Sequence, residues 1–242
     1  MKFALISDIH ANFEALTEVL ADIETQKVDK IHCLGDVIGY GTDPIPCLEA
    51  VEKYCDVKLM GNHEYAALGL ISTEHYNSAA KDSSEWTKTQ LGDNELSMIA
   101  DFEMTHSFDN FFLVHASPFD PEKWRYIIAP NAAIEGFMHY DEKICFIGHS
   151  HLPQIFIEQE DALPRCLTGH DFMPDRDSRY IINVGSVGQP RDNDNRACYL
   201  IFDTDEYEVQ YRRVEYDFAT TQAKMAELQM PEMLIHRLAI GR

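Results

Sequence analysis

The 242-residue chain has no apolar run long enough to cross a bilayer. Runs such as Phe111–Val114 and Ile144–Ile147 fall far short of the ~20 residues that a spanning helix needs. A secretory core is missing too, since Phe3 to Ile6 is all that separates Lys2 from the polar residues before Asp8, where about 7–15 apolar residues are required. The expected compartment is the cytoplasm. None of the six cysteines sits in a Cys-x-x-Cys pair, which argues against a zinc knuckle or a redox motif and for free thiols. Cys33 and Cys145 lie inside apolar strand-like runs and read as small buried hydrophobes. Lys/Arg blocks are also lacking. Against 41 acidic side chains stand 20 basic ones, a formal charge of -21, which repels long nucleic acid and anionic membrane. An acidic chain is instead well suited to hold divalent cations, which present positive charge to a small anionic substrate.

With 45% apolar residues the composition is that of a folded globular protein. Apolar, β-branched runs at 2–7, 30–34, 57–60, 111–115 and 144–147 read as buried strands. Helical patterns separate the first three: Asn12 caps a segment with Phe13, Leu16, Val19, Leu20 and Ile23 on one face, and Asp43-Pro44 opens the next. The first third is thus a parallel α/β unit. Residues 77–102 read as a helical pair with Asn77 and Asp93 as caps. After 150 come strands without helices, at 153–158, 180–184, 197–203 and 207–214, which imply a second sheet. Segment 159–179 has no period and reads as a loop. Asp217 caps a first C-terminal helix, and Pro231 opens a last one that stops at Gly241. No repeat or linker interrupts this pattern, so one domain over 1–242 is expected, with a helical insertion at about 72–102 and C-terminal helices at about 217–241.

The early strands end in Asp8-Ile9-His10, Gly35-Asp36, Gly61-Asn62-His63-Glu64, His115 and Gly148-His149-Ser150-His151. Singly each is weak evidence; in order, each after a strand, they form a constellation. Residues two apart on an extended chain share a side, so Asp8 with His10, and His149 with His151, aim at one centre. Gly35 and Gly148 suit a backbone that approaches an ion. The seven ligand types Asp8, His10, Asp36, Asn62, His115, His149 and His151 exceed the about four that a zinc-like ion takes. They suit two ions ~3.5–4 Å apart that share Asp36. Imidazole, carboxylate and amide together favour manganese, iron, zinc or nickel over calcium.

These motifs resemble the full set of the calcineurin-like metallophosphoesterases, over residues 3 to about 200. The resemblance implies that Asp8, His10, Asp36 and His151 hold one ion and Asp36, Asn62, His115 and His149 the other. It also implies an α/β fold of two facing mixed sheets flanked by helices. Gly35-Asp-Val-Ile-Gly-Tyr-Gly41, Val114-His-Ala-Ser-Pro118 and Asn183-Val-Gly-Ser-Val-Gly-Gln-Pro-Arg191 look like the small bacterial branch with the YfcE-like phosphodiesterases and diadenosine-polyphosphatase-like proteins. Phosphoprotein phosphatases carry Asp-Arg where this chain has Gly39-Tyr40, which speaks against a protein phosphatase. Ser150, where many relatives have Thr, moves no ligand.

The expected function is metal-dependent hydrolysis of a small phosphodiester or nucleotide by in-line displacement, with hydroxide supplied by water that the two ions share. A phosphomonoesterase, or a silent metal-binding scaffold of the same fold, is the alternative. His63 is the candidate proton donor to the leaving oxygen, against a reading in which it only braces Asn62. Its orienting partner is open, with Asp43 or a backbone carbonyl as candidates. Tyr40 stacks on a base or simply packs. Arg191, Lys123 and Arg125 are candidates for substrate phosphate, although a solvated charge is the stronger reading of each. His32 reads as a buried histidine outside the site, and His75, His106, His139, His170 and His236 as surface residues.

Overall fold

The computed structural model describes residues 1–242 apart from the side chain of His75, so the expectation for that histidine lies outside the described residues. The chain opens β1 (Lys2–Ile6), α1 (Phe13–Gln26), β2 (Lys30–Cys33), α2 (Pro44–Tyr54), β3 (Val57–Lys58) and α3 (Asn62–Ala67). It continues α4 (Ser78–Gln90), α5 (Asp93–Ala100), β4 (Thr105–Phe108), β5 (Phe111–Val114), α6 (Pro130–Phe137) and β6 (Ile144–Ile147). Then follow β7 (Gln154–Ile157), β8 (Arg165–Thr168), β9 (Tyr180–Asn183), β10 (Ala197–Asp203), β11 (Glu208–Val214), α7 (Phe218–Glu227) and α8 (Glu232–Ile240).

The strands form two sheets, ordered β11-β10-β1-β2-β3 and β4-β5-β6-β9-β7-β8. Alternation along each strand assigns its two faces. Phe3 and Leu5 of β1, Leu200 and Phe202 of β10, Ile144 and Phe146 of β6, and Tyr180 and Ile182 of β9 meet in one core between the sheets. Ala4, Ile6, Tyr199 and Ile201 point the other way, onto Leu16, Val19 and Ile23 of α1 and Leu48 and Val51 of α2. Cys145, Ile147 and Ile181 face Ala133 and Phe137 of α6. The result is the expected α/β architecture of four layers, two facing mixed sheets flanked by helices.

The β1-β2-β3 unit is parallel, as the sequence pattern requires. The division of later strands differs from expectation. β5 and β6 join the second sheet, while β10 and β11 return to the first, β10 running antiparallel to β1 with Lys2 opposite Asp203. β4 and β8 were not expected, and β8 lies inside the segment read as a loop. Both are sheet edges with little buried surface, so neither shows strong alternation. The caps follow expectation at Asn12, Asn77 and Asp217, which accept from Ala15, Ala80 and Thr220. Asp43 occupies the cap position of α2 without capping; its carboxylate accepts from Lys224 and Thr42 instead. Gly92, not Asp93, precedes α5, where Glu95 accepts from the Gly92 amide. All six cysteines are free thiols, and only Cys166 is exposed. Among the described residues, no helix is long and apolar enough to cross a membrane.

His32 is 2% exposed, wedged against Phe3 and Phe108, with neither ring nitrogen hydrogen-bonded. Burial pulls its pKa down to about 4, against the neighbouring Asp56 charge. Its neutral form therefore suits the folded state at any pH above the ordinary value of ~6.5, and stability falls as pH drops from there toward 4. His32→Leu is expected to remove this loss. In urea unfolding curves of the two proteins, the stability difference should shift in the variant's favour by about 2 kcal/mol between pH 7 and pH 5.

Candidate metal centre

The loops that leave β1, β2, β5 and β6, together with the N-terminus of α3 beyond β3, meet at one edge of the two sheets. There Asp8, His10, Asp36, Asn62, His63, His115, His149 and His151 are all buried. Their donor atoms form three overlapping groups, Asp8–His10–His151, His10–Asp36–His63 and Asp36–His115–His149, each within 4.8 Å. The structure thus brings together six of the seven sequence-derived ligand candidates and His63, and the seventh, Asn62, is buried at the N-terminus of α3 directly beside His63.

Each of the four candidate imidazoles is oriented by a main-chain carbonyl. His10 Nδ1 lies 3.2 Å from the Ile38 oxygen, His115 Nδ1 2.8 Å from Leu34, His151 Nδ1 2.6 Å from Gln189, and His149 Nε2 2.9 Å from Trp124. A carbonyl only accepts, so that nitrogen carries the proton and the other presents a lone pair. The lone pairs fall at Nε2 of His10, His115 and His151 and at Nδ1 of His149. Two of these acceptors, His10 Nε2 and His151 Nε2, stand 3.0 Å apart. His115 Nε2 and Asn62 Oδ1 are buried without a hydrogen-bond partner. Asn62 is aimed by its amide nitrogen, which donates to the Tyr76 hydroxyl at 3.1 Å. Facing lone pairs and orphaned buried acceptors repel each other unless cations lie among them; the donor set fits divalent metal.

The carboxylates tie the two halves. Asp36 Oδ1 accepts from the His63 amide at 2.9 Å, while Oδ2 lies 3.2 Å from His115 Nε2 and 3.8 Å from His10 Nε2, between both groups of donors. Asp8 accepts from the His149 amide at 2.9 Å, and its Oδ1 is 3.3 Å from His151 Nε2. Burial opposes charge on either acid, but the surrounding imidazoles outweigh it and hold Asp8 below, and Asp36 well below, the usual carboxylate range. Burial pulls His149 down to about 3 and lowers His10, His151 and His63 as well. For His115 burial acts the same way, but Asp36, with Asp8 and Glu64, overrides it and lifts the pKa to about 9, so its Nε2 offers a lone pair only when it gives up that proton to an incoming cation.

The pairs converge for a different reason than the extended spacing predicted. Asp8, His10, Asp36, His149 and His151 all have φ between 51° and 65°, the left-handed region that non-glycine residues seldom occupy. The strain is held by packing. Glu64 accepts the amides of Asp36, Val37, Ile38 and Gly61 at 2.8–3.1 Å, clamping the β2 loop to the start of α3. A Cβ on Gly148 would stand 2.0 Å from Ser7 Oγ and 2.6 Å from Asp8 Oδ2. Gly148 therefore admits another ligand loop rather than an ion.

The remaining candidates separate. His63 Nδ1 is buried against Gly39, where a Cβ would come within 2.1 Å of it, and has no partner. Asp43, proposed from sequence to orient it, is engaged by Lys224 and Thr42. The Tyr40 ring lies 4.5 Å from both the His10 and His63 rings and packs against Met225 and Leu238 of the C-terminal helices. Arg125 lies over Phe119 and faces Asp120 and Glu135, turned away from the cluster. Arg191 stands beside it, close enough to lower the pKa values of His10, His63 and His151. Sequence reasoning missed Trp124 and Tyr76, which orient His149 and Asn62; a carbonyl that any residue could supply, and a lone tyrosine outside the motifs, leave no signal.

Residues 1–207 match the calcineurin-like phosphoesterase superfamily domain. The chain belongs to that superfamily. It is similar over its whole length to the crystal structure of a metallophosphoesterase from Sphaerobacter thermophilus, 39% identical, covering 100% of this chain and 99% of the other, with a TM-score of 0.87. The uncharacterized protein MJ0912 of Methanocaldococcus jannaschii is 37% identical over 99% of this chain and 98% of its own. A hypothetical protein, PH1004 of Pyrococcus horikoshii OT3, shares the fold with a TM-score of 0.80 at 20% identity, over 100% and 98% of the two chains.

Gly148→Ala is expected to displace Asp8 and the His149 loop together. Overpacking of this kind costs about 1–3 kcal/mol, and the purified variant, assayed by plasma mass spectrometry after manganese loading, should retain several-fold less metal than the parent.

Proposed function

We propose that the protein is a metal-dependent phosphohydrolase of small phosphodiesters or nucleotides. The observation that carries this reading is the convergence of carbonyl-fixed imidazole lone pairs on both sides of the shared carboxylate Asp36. Asp8, His10, Asp36 and His151 would hold one divalent ion, and Asp36, Asn62, His115 and His149 the other. When bound, such ions acidify water and polarise phosphoryl oxygens for in-line displacement.

The protein's own groups do the rest. Asp36 holds the two donor groups in register through one carboxylate. Main-chain carbonyls keep each imidazole in the tautomer that leaves a lone pair free. His63, with Nδ1 shut against Gly39, keeps Nε2 for the open side of the ring, where its protonated form, which burial opposes and the neighbouring Asp36 charge favours, would give a proton to the leaving oxygen. The acidic surface excludes long polyanions, and this favours small substrates.

Manganese-loaded protein is expected to hydrolyse bis-p-nitrophenyl phosphate faster than p-nitrophenyl phosphate, and His149→Ala to abolish both. Two bound metals with no turnover of either ester would shift the reading to the scaffold. His63→Ala should lower kcat by about 10²–10⁴-fold with near-normal metal content; loss of metal alongside activity would make it a brace for Asn62 instead.

A further inference from the structure

Two arginines meet beside the metal centre. Gln189 gives its main-chain carbonyl to His151 Nδ1 at 2.6 Å, and its side-chain Oε1 accepts from Arg191 Nη2 and from Arg237 Nη1, both at 2.9 Å. One acceptor thus gathers two like charges within a residue's reach of a ligand histidine. Arg191 lies near Tyr40, and its Nε is buried without a partner. Arg237 comes from α8, and its Nε donates to the main-chain oxygen of Arg242.

Among the described residues, neither guanidinium pairs with a side-chain carboxylate, as Arg125, Arg179, Arg196, Arg212 and Arg213 do; Arg165, Arg176 and Arg242 lack one too, but they are exposed, whereas Arg191 and Arg237 are half-buried. Scarcity is no explanation in a chain with 41 acidic and 20 basic side chains. Two adjacent cations that share one neutral amide oxygen repel each other, at a Coulomb cost that an incoming anion recovers. Burial, and then Arg191, pull the Arg237 pKa down to about 10, which leaves it charged at neutral pH. Arg237 also lies beyond residue 207, where the match to the superfamily domain ends; it belongs to the helices that this chain packs onto the site through Tyr40, Met225 and Leu238.

We propose that Arg191 and Arg237 form a second anion subsite, which takes a non-scissile phosphate of the substrate, so that the C-terminal helix selects ligands with two phosphate groups. This rests on the phosphohydrolase reading above. Arg191 faces the histidines and bonds the phosphate nearer the metals. Arg237, one step outward, reads whether a second phosphate is present.

The test is calorimetric binding of AMP, ADP and adenosine 3′,5′-bisphosphate to the manganese-loaded protein and to Arg237→Gln and Arg237→Lys. At least one doubly phosphorylated ligand should bind the parent about tenfold or more tightly than AMP. Arg237→Gln should cut that advantage to within about twofold with AMP binding and melting temperature unchanged, and Arg237→Lys should keep part of it. No advantage in the parent, or one that survives Arg237→Gln, overturns the proposal. Equal losses for AMP and the doubly phosphorylated ligands, with a lowered melting temperature, also overturn it, because Arg237 then only ties α8 to Gln189. An Arg237-dependent advantage without turnover of bis-p-nitrophenyl phosphate leaves the subsite standing and refutes the hydrolase reading.

Discussion

Four hydrogen bonds from imidazole to main-chain carbonyl govern the centre, because each decides which nitrogen is free to bind. The carbonyls belong to Leu34 and Ile38 of the loop after β2, to Trp124 between β5 and α6, and to Gln189 between β9 and β10. Correct tautomers at His10, His115, His149 and His151 therefore exist only once both sheets have brought those loops to one edge. The fold sets proton positions, and through them the chemistry.

The strained residues follow from the same demand. Five ligand candidates sit in left-handed backbone, which costs about 1 kcal/mol or more apiece for residues that are not glycine. A continuous strand or helix cannot turn successive polar side chains onto one point; alternating left-handed residues can. The cost is offset by the Glu64 clamp on four amides and by close contacts across Gly61 and Gly148 that leave no alternative packing. Burial, then the nearby charge of Asp36, lifts the pKa of Glu64 itself to about 7.

Much of this was legible in the residues. Metal-ligating side chains are of a few types, and parallel strands deliver them in order to one edge, so Asp8, His10, Asp36, Asn62, His115, His149 and His151 could be named as candidates from their type and their place after each strand. The backbone that aims them could not, since nothing in Asp or His announces a positive φ. Buried strands declared themselves by apolar runs, whereas edge strands β4 and β8, with mixed and exposed residues, did not. The sheet to which β10 returns is decided by long-range pairing. Arg237 carries no motif at all; its place beside Gln189 arises from the packing of a helix nearly 50 positions later in the chain, a sequence distance of 48.

The pairing of Lys2 with Asp203 sets a timetable for biosynthesis. As the chain leaves the ribosome, β1 can find β2 early, but its other edge stays open until β10, which begins at Ala197, has emerged. During that interval an apolar strand with unsatisfied main-chain groups is offered to any neighbour. The loops of the centre cannot close before then either, because Val187 and Gly188, just ahead of β10, bond the carbonyls of Ser7 and Asp8. The candidate metal centre can therefore take its final shape only after Gly188 has been made, and a chain cut short before that residue carries most of the clustered acids and histidines without the contacts that hold the Asp8 loop in place.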